Sequence, residues 1–353
     1  MIRIGLLGLG GIAPMHREAI QACKDLTLVS GFTRNDDRLS ALSREWSFTP
    51  HSTIQALLGD RSIDAVVVLT PSAYHFEHVT AALKAGKHVL VEKPAALSGD
   101  KIAELGRLAC DRGLICMPAH CSVYRPVMQQ ACKLMAEGAI GVPYFGQVSL
   151  VMPISMESMR GWRGRNDIAG GGTLVDSGTH RLYQIIYLLG RPSQVFAYAG
   201  HYRLPIEGED VALLTLRFTS GALGVVLQSW VSHDPTFPEV KILGTKGTLW
   251  VSDQLYLDGR PLVGQLPRQD SFNRMLQQFA DCVGGGAIPL STMEDAEITA
   301  RTIEAAYESI GTGKAVTIPP ENIKRPPWVG TMSRKVNSEQ VMESPTAREK
   351  GGM

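Results

Sequence analysis

The feature that most constrains this chain is the alternation of short, continuously apolar runs with helical stretches over its first third. We expect strands at Ile2–Leu7, Leu26–Phe32, 63–69, His88–Val91 and 114–117. We expect helices between them, one ending near Ala22 and the others over Asp36–Trp46, 74–85 and 101–110. Apolar strands separated by helices are typical of a parallel sheet covered on both faces. Residues 1–121 are therefore predicted to form an α/β Rossmann domain with a parallel sheet.

A glycine-rich turn follows the first strand and opens the first helix, and it contains Gly8, Gly10, Gly11, Ile12 and Ala13. Gly8 allows a sharp turn, Gly10 lets the backbone approach a pyrophosphate, and Ala13 stands where a third glycine would pack against the sheet. Because glycine turns after strands are common, a Rossmann turn that binds nothing is the alternative. The strand–turn–helix setting favours binding of a dinucleotide by these residues.

The end of the second strand bears on the choice between NAD and NADP. An acidic residue about 20 positions after the glycine turn would bind the ribose diol of NAD, whereas an arginine would pair with the 2′-phosphate of NADP. Thr33 and Arg34 stand there, and acidic residues follow only inside the next helix. The guanidinium of Arg34 suits a phosphate; the alternative is that it lies in a solvent-facing loop. NADP is the expected cofactor, with NAD as the alternative.

The strand His88–Val91 ends in the motif Glu92-Lys93-Pro94. Ligands of an open parallel sheet bind where the strands end, and a lysine is rarely buried without a partner. Lys93 is therefore predicted to face the same crevice as the glycine turn, where its ammonium could hydrogen-bond a substrate oxygen. A Glu92–Lys93 pair at an ordinary sheet edge is the alternative.

From residue 122 the pattern changes, because strands follow one another with few helices between them. Residues 122–318 are predicted to form an α+β substrate-binding domain with a mostly antiparallel open sheet. Its strands are expected at 144–152, 194–201, Val211–Phe218, 223–231, 240–243 and Thr248–Val251, and its helices at 124–137, 173–189, 272–283 and 293–309. Residues 319–353, rich in proline, serine, lysine and glutamate, are expected to form an extended or partly disordered tail.

Asp176 and His180 interrupt the apolar pattern of the expected helix 173–189. Residues four apart share one face of a helix, so both side chains are predicted to point into one cleft. A histidine with a carboxylate one turn away can act as a general base near neutral pH. The alternatives are a core histidine tied to its neighbour and a two-ligand metal site. We expect no metal, because no third ligand is evident.

Composition excludes several other classes of protein. The formal charge of +1, with no basic cluster among aromatic residues, argues against a nucleic-acid partner. Six cysteines without a C-x-x-C pair are typical of reduced, structural thiols. No charged and apolar leader precedes the first strand, and no apolar run has membrane-spanning length. These features predict a cytoplasmic protein with no membrane partner.

Association is expected through the second domain. Helices cover one face of its sheet, and Val225, Leu227 and Trp230 suggest an apolar surface on the other. Because closed symmetric oligomers are the common way to cover such a surface, a homodimer or homotetramer packed sheet to sheet is predicted.

Together these motifs resemble the Gfo/Idh/MocA oxidoreductase family, named for glucose–fructose oxidoreductase, inositol dehydrogenase and a rhizopine-catabolism protein. The likeness covers about residues 1–315. From the third strand onward it consists of Thr70-Pro71, His75, Ala85-Gly86-Lys87-His88-Val89 and Glu92-Lys93-Pro94. At the domain junction and on the substrate side it consists of Tyr124-Arg125-Pro126, Gly138, Ile140, Gly141, Trp162-Arg163, Gly170-Gly171-Gly172 and Asp176-x-Gly178-x-His180.

The resemblance implies hydride transfer between a nicotinamide cofactor and a carbinol or carbonyl carbon of a sugar, sugar derivative or cyclitol. It implies His180 as the acid/base, Lys93 as the donor to the reacting oxygen, and Asp176 as the residue that orients His180 or binds an adjacent hydroxyl. Further cofactor-side candidates are Thr70, Pro71, His75, Glu92 and Lys93, and rim candidates for the substrate are Tyr124, Arg125, Trp162 and Arg163.

Two departures from the family pattern are Ser72, where asparagine is frequent after T-P, and Thr33-Arg34 in place of an acidic residue. Two other functions stay open. The fold family resembles NAD-dependent glycosidases, which oxidise their substrate transiently and show no net redox turnover. It also includes sensors that bind a dinucleotide without the full set of polar residues, and the presence of Lys93, Asp176 and His180 argues against these.

Overall fold

The computed structural model describes residues 1–234, 236–264 and 268–319. Its first sheet has six parallel strands: β1 (Ile2–Leu7), β2 (Leu26–Phe32), β3 (Thr49–Pro50), β4 (Ala65–Val68), β5 (His88–Val91) and β6 (Cys116–Pro118). Their order is β3-β2-β1-β4-β5-β6. This is the order of a dinucleotide-binding Rossmann sheet, in which the direction of winding reverses between β1 and β4 and leaves a crevice at the carboxyl ends of the strands. The predicted Rossmann fold is confirmed.

Five helices connect these strands: α1 (Ala13–Ala22), α2 (Asp36–Trp46), α3 (Ile54–Gly59), α4 (His75–Lys84) and α5 (Gly99–Asp111). The side chain of Asn35 accepts a hydrogen bond from the Arg38 N–H and so caps α2, as its position before the helix indicates. The sequence pattern missed β3 and α3, because elements of two and six residues are too short to show a period.

In the second half of the chain, the described residues form a nine-stranded sheet with six helices. The helices are α6 (Pro126–Ala136), α7 (Asn166–Ala169), α8 (Thr173–Asp176), α9 (Gly178–Leu189), α10 (Arg268–Val283) and α11 (Met293–Thr312). The strands are β7 (Pro143–Val151), β8 (Pro192–Gly200), β9 (Val211–Phe218), β10 (Leu223–Ser229), β11 (Val240–Gly244), β12 (Thr248–Val251), β13 (Gln254–Leu257), β14 (Arg260–Gly264) and β15 (Val316–Thr317). Their order is β14-β13-β12-β11-β7-β10-β9-β8-β15, and β7 with β10 is the parallel pair in a sheet that is otherwise antiparallel. The predicted α+β architecture is confirmed.

The alternation of burial along β9 shows that helices pack on one face of this sheet. Ala212, Leu214, Leu216 and Phe218 are buried, and they belong to one core cluster with Leu182, Ile185 and Ile186 of α9. The intervening residues face away from the helices. One face of the sheet is therefore packed and the other is open.

The last two helices link the two sheets. α10 packs against α1, and its Phe272 and Phe279 share a core cluster with Ile4 and Leu6 of β1. α11 packs against both α5 and β8. The chain thus returns to the first sheet after completing most of the second.

The boundary between residues 121 and 122 stays a prediction, and residues 320–353 of the expected tail lie outside the described residues.

Three expectations from the sequence are wrong. The helix 173–189 is interrupted at Ser177, and the helix 124–137 begins at Pro126 after a short 3-10 turn. Trp230 does not lie on the open face of the sheet, because its side chain is buried among Met159, Leu204 and Ile206. Side chains alternate along β10, so Trp230 falls on the packed face with the buried Val226 and Gln228, and not on the open face with Val225 and Leu227. No helix among the described residues is long and apolar enough to cross a bilayer.

The glycine turn after β1 contains one position that tolerates no side chain and two that leave open space. Gly8 has φ +99°, and a Cβ there would lie 2.8 Å from the carbonyl carbon of Leu69. A Cβ at Gly10 or Gly11 would meet nothing within 4 Å. Gly8 is therefore required by the backbone itself, whereas Gly10 and Gly11 border the space where a ligand would lie.

The alanine substitutions at Gly8 and Gly10 should differ in stability. Gly8→Ala places a Cβ against backbone at a positive φ, and we expect a loss of about 1–3 kcal/mol in the free energy of unfolding. Gly10→Ala meets no atom and should stay within roughly 0.5 kcal/mol of the wild type. Urea denaturation of the three proteins measures both values. Equal stabilities of the two variants would contradict this account of the turn.

Candidate active site

An ion pair joins the end of β5 to the break between α8 and α9. The Lys93 Nζ lies 2.7 Å from Asp176 Oδ1 and 3.0 Å from the Asp176 main-chain oxygen. Both side chains are only partly exposed, at 14% for Lys93 and 32% for Asp176. Lys93 and Asp176, two members of the polar set that the family resemblance implies, are thus in direct contact, and one residue holds the ammonium through two oxygens.

The break in the helix makes the second of these bonds available. The His180 N–H donates to the Ser177 oxygen at 3.1 Å, which is an i to i−3 bond. In a continuous α-helix it would donate to the carbonyl of Asp176. That carbonyl instead accepts from Lys93. The expectation of a continuous helix through Asp176 and His180 is therefore wrong, because the hydrogen-bond pattern breaks at Ser177, although Ser177 itself keeps a helical backbone conformation. That both side chains point into one cleft stays a prediction.

The three glycines before α8 admit a close approach of another chain segment. A Cβ at Gly172 would lie 1.9 Å from the main-chain oxygen of Glu209. That oxygen accepts from the Thr173 N–H at 2.8 Å, and the Glu209 carboxylate accepts from the Leu174 N–H at 2.8 Å and from the Tyr307 hydroxyl at 3.1 Å. Glu209 thus satisfies N–H groups that the start of a helix leaves unpaired, and it fixes α8 and with it Asp176.

Charges around Asp176 hold it ionised. Burial alone would raise the pKa of its carboxyl, but the neighbouring charges of Lys93 and Arg163 outweigh burial and lower that pKa below its ordinary value. The Arg163 Nε lies 3.8 Å from Asp176 Oδ2. The carboxylate therefore faces two cations, and among the described residues no hydrogen bond joins it to His180. This geometry supports a role for Asp176 in holding Lys93 rather than in orienting the imidazole.

His180 is a neutral imidazole in this setting. Burial lowers its pKa well below the ordinary value, and the charge of Lys93 lowers it further. A neutral histidine has a free lone pair on one ring nitrogen. His180 can therefore accept a proton from a nearby hydroxyl at neutral pH.

A second histidine of this region, His120, was missed by the sequence analysis. It follows β6, is 1% exposed, and stacks on Tyr183 of α9 with ring centroids 3.7 Å apart. Burial, with a contribution from Lys93, lowers its pKa to about 3. His120 belongs to no motif. The available signal was its position just after a parallel strand, at the same sheet edge as Lys93.

Glu92 connects Lys93 to the helix that follows the glycine turn. Its Oε1 lies 2.8 Å from His16 Nε2 of α1, and its Oε2 accepts from the Lys93 N–H at 3.2 Å. Burial would raise the pKa of Glu92, but the hydrogen bond from His16 lowers it. Glu92 is therefore a largely enclosed carboxylate, 13% exposed, that fixes the main chain of Lys93.

His75 holds two loops of the first sheet together. Its Nδ1 lies 2.7 Å from the Pro94 oxygen and its Nε2 lies 2.5 Å from the Thr70 oxygen. The ring is 1% exposed, and burial lowers its pKa. His75 thus ties the loop that contains Thr70 and Pro71 to the Glu92–Pro94 segment through two main-chain oxygens. The role of these residues at the cofactor stays a prediction.

The cofactor-side residues at the end of β2 lie beside the glycine turn. Arg34 is exposed, and its guanidinium carbon lies 5.7 Å from the ring centroid of Tyr74 in the loop after β4. Arg38, which the sequence analysis did not consider, donates from Nε to the Leu9 oxygen of the turn at 2.5 Å. The open space at Gly10 and Gly11, with these cations beside it, fits the phosphates of a dinucleotide.

The four rim candidates divide into two pairs. Tyr124 and Arg125 are not rim residues: Tyr124 is 2% exposed and donates to Gln278 at 2.7 Å, and Arg125 pairs with Glu239 and donates to the Ser252 oxygen. Trp162 and Arg163 lie in one 3-10 turn, Gly161–Gly164, with the Arg163 guanidinium 4.8 Å from the Trp162 ring centroid. Arg163 therefore lies next to the Asp176 carboxylate.

Within the described residues no group of three histidine, cysteine, aspartate or glutamate side chains is arranged to hold a metal ion.

Comparison with known proteins agrees with the fold and with the motifs. Residues 2–120 match the model of an oxidoreductase family with an NAD-binding Rossmann fold, and residues 128–250 match the Gfo/Idh/MocA C-terminal domain. D-xylose 1-dehydrogenase (NADP(+)) 2 of Haloferax volcanii is 30% identical over 89% of this chain and 99% of its own length. Scyllo-inositol 2-dehydrogenase (NAD(+)) of Bacillus subtilis is 26% identical over 90% of this chain and 96% of its own.

A solved structure shows the same fold. The WlbA dehydrogenase of Bordetella pertussis, in complex with NADH and UDP-GlcNAcA, superposes with a TM-score of 0.80 over 91% of this chain and 99% of its own, at 24% identity. The two family models together cover well over half of the chain, and a relative matches nearly its whole length. The chain therefore belongs to the Gfo/Idh/MocA family of NAD(P)-dependent oxidoreductases.

Proposed function

We propose that this protein oxidises a hydroxyl, or reduces the corresponding carbonyl, of a sugar, sugar derivative or cyclitol. The observation that carries the proposal is the Lys93–Asp176 ion pair beside a neutral His180, at the carboxyl ends of the parallel strands. The names of the relatives, a xylose dehydrogenase and an inositol dehydrogenase, support the substrate class. They give no support to a glycosidase or to a sensor.

In the oxidation direction the imidazole of His180 accepts the proton of the reacting hydroxyl. Lys93 donates a hydrogen bond to the same oxygen, and its charge stabilises the negative charge that develops there. Asp176 keeps the ammonium in place, and Arg163 with Trp162 borders the substrate. The nicotinamide, when bound next to the glycine turn, supplies the redox chemistry. The reverse reaction uses the same groups with the proton returned by His180.

A panel of sugars and cyclitols, assayed by the absorbance of the reduced nicotinamide, tests this function. At least one substrate should give net turnover, and Lys93→Met and His180→Asn should each lower kcat by roughly 10²–10⁴-fold, because each removes a group that acts on the reacting oxygen or its proton. Lys101→Met changes an exposed lysine of α5 and serves as the matched control. Net turnover absent throughout the panel, or close to wild type in Lys93→Met or His180→Asn, would contradict the proposal.

We propose that NADP is the preferred cofactor. Thr33 and Arg34 end β2 where an acidic residue would favour NAD, and Arg38 adds a second cation at the glycine turn. Arg34 is exposed and lies over the Tyr74 ring, so its guanidinium is free to turn toward a 2′-phosphate. The NADP(+) enzyme among the relatives supports this choice, although the inositol relative is an NAD(+) enzyme.

Titration of NADPH and NADH into wild type and Arg34→Ala measures this preference. Wild type should bind NADPH more tightly, and Arg34→Ala should lose about 1.5–3 kcal/mol of NADPH binding free energy with NADH affinity retained, since one charge-assisted contact to phosphate is removed. Arg44→Ala, at an exposed arginine of α2, the helix that follows Arg34, is the control. Equal affinities in wild type, or the same preference in Arg34→Ala, would refute an NADP-selecting role.

We also propose a homodimer or homotetramer packed through the open face of the second sheet. Strand register places Tyr198, Leu213 and Leu227 opposite one another in one row of this face, and Phe196 and Val225 flank Thr215 in the next. Tyr198 is 64% exposed and Leu213 39%. A continuous apolar row of this kind is typical of an interface.

Light scattering at micromolar concentration should give the mass of a dimer or tetramer. Leu213→Asp should shift the mass toward the monomer, because a carboxylate would be buried in the interface, whereas Ile288→Asp, at an exposed residue outside the sheet, should not. A monomeric wild type would rule out this assembly.

We propose a cytoplasmic location as well. No disulfide joins any of the six cysteines, all of which lie among the described residues, and four of them are buried. Thiols without disulfide partners are typical of reducing compartments.

A further inference from the structure

Trp230 makes a single polar contact from its side chain, and the contact is to the residue at which the helix breaks. The residue follows β10 and is 1% exposed. Its indole N–H donates to the Ser177 hydroxyl at 2.7 Å. An indole has one donor and no acceptor, so the Ser177 oxygen is the acceptor and the direction of this bond is fixed.

The surroundings of Trp230 hold the ring firmly. Its main-chain N–H donates to the Asp210 oxygen at 2.9 Å, and its carbonyl accepts from the Ile154 N–H at 3.0 Å. The ring packs in a small cluster with Met159, Leu204 and Ile206, apart from the main cores. The indole is therefore a rigid support that reaches the broken helix from another part of the domain.

Ser177 is the residue through which such a support would act on the site. It lies between α8, which ends at Asp176, and α9, which begins at Gly178. Its carbonyl accepts from the His180 N–H at 3.1 Å, and its own N–H donates to the Thr173 oxygen at 3.0 Å. The direction of the Asp176 carbonyl toward Lys93 and the position of His180 both depend on the conformation of this one residue.

Close packing limits the backbone conformations that the turn at Ser177 can adopt. A Cβ at Gly178 would lie 3.1 Å from Leu174 Cδ1 and 3.3 Å from the Thr173 oxygen, so the backbone lies close to the preceding turn at this point. The Ser177 side chain is only partly buried. Without the indole, water could bond its hydroxyl, and the turn would lose its one side-chain contact to a rigid neighbour.

We propose that the Trp230–Ser177 hydrogen bond is a positioning clamp, which holds the break between α8 and α9 in the conformation that presents Asp176 to Lys93 and sets the place of His180. Trp230 and Ser177 are positioning residues, and the reaction itself is carried by the groups they support. The expected loss of kcat rests on the proposed function. The expected displacement of His180 rests on the geometry alone.

The two partners are tested by Trp230→Phe and Ser177→Ala, singly and together. Trp230→Phe keeps an aromatic ring in the cluster and removes the donor, and Ser177→Ala removes the acceptor. Trp46→Phe is the matched control, because it also removes an indole hydrogen bond, to the exposed Glu45, on α2. With the sugar that gives turnover, each single variant should lower kcat by roughly 10–100-fold, the scale of a misplaced reacting group, with the Kd of the dinucleotide unchanged.

Non-additivity distinguishes a clamp from general damage. If either change breaks the same bond, the double variant should be no slower than the slower single variant. Effects that multiply in the double variant, or kcat near the wild-type value in both single variants, would overturn the clamp. Should Trp230→Phe fail to fold, Ser177→Ala alone decides through the loss of kcat.

A readout without substrate separates this inference from the proposed function. In protein labelled with ¹⁵N-histidine, the His180 imidazole signals, assigned with His180→Asn, should shift in Trp230→Phe and in Ser177→Ala and stay in place in Trp46→Phe. Shifted signals in a protein that turns over no sugar would leave the clamp standing and the proposed function refuted. Unshifted signals in both variants of an active enzyme would refute the clamp alone.

Discussion

The bond between the Lys93 ammonium and Asp176 is the interaction on which the rest of the site depends. It connects a strand end of the first sheet to a helix of the second half of the chain, and it uses both the carboxylate and the carbonyl of one residue. An ion pair that is partly withdrawn from water needs both members, since removal of one leaves an uncompensated charge that costs about 3–5 kcal/mol when fully buried. Burial lowers the pKa of the nearby His180, and the charge of this cation lowers it further. Lys93 thus contributes both to the geometry of the site and to the charge state of the histidine.

A chain of hydrogen bonds extends this interaction in both directions. Toward the glycine turn it runs from the Lys93 main-chain N–H through Glu92 to His16 of α1. Within the second half of the chain it runs through α8 to Glu209, which binds the N–H groups at the start of that helix. Lys93 is therefore linked by polar contacts to both α1 and α8, and a change at either end is expected to reach the ammonium.

Sequence periodicity predicted the two sheets because their strands are buried and regular. The apolar runs of the first third and the alternation along β9 follow directly from burial on two faces or on one. The glycine turn, the lysine after β5 and the histidine of α9 lie at element ends, where position along the chain fixes position in space. The short strands β3, β13, β14 and β15 were missed, because a few residues show no period.

Two of the errors were decided by contacts distant in sequence. Helix 173–189 was expected to be continuous because its residues suit a helix, yet the Asp176 carbonyl accepts from Lys93 and the His180 N–H donates to Ser177. Tyr124 was assigned to a rim from its motif, yet it is buried against Gln278. No local pattern encodes partners that lie 83 residues away, as for Lys93 and Asp176, or 154 residues away, as for Tyr124 and Gln278. The error at Trp230 was local, because alternation along β10 sets this residue on the face opposite to Val225 and Leu227.

The pH dependence of the reaction in wild type and Lys93→Met tests the central claim most directly. Burial and the charge of Lys93 lower the pKa of His180, so the acid limb of the rate of substrate oxidation should lie below pH 6.5, about the ordinary histidine value, in the wild type. Removal of the cation leaves burial in place and takes away the repulsion of the imidazolium. The limb of the slower Lys93→Met enzyme should therefore move to higher pH, and His180→Asn should lack it. A limb at the same pH in Lys93→Met, or at lower pH, would contradict the account.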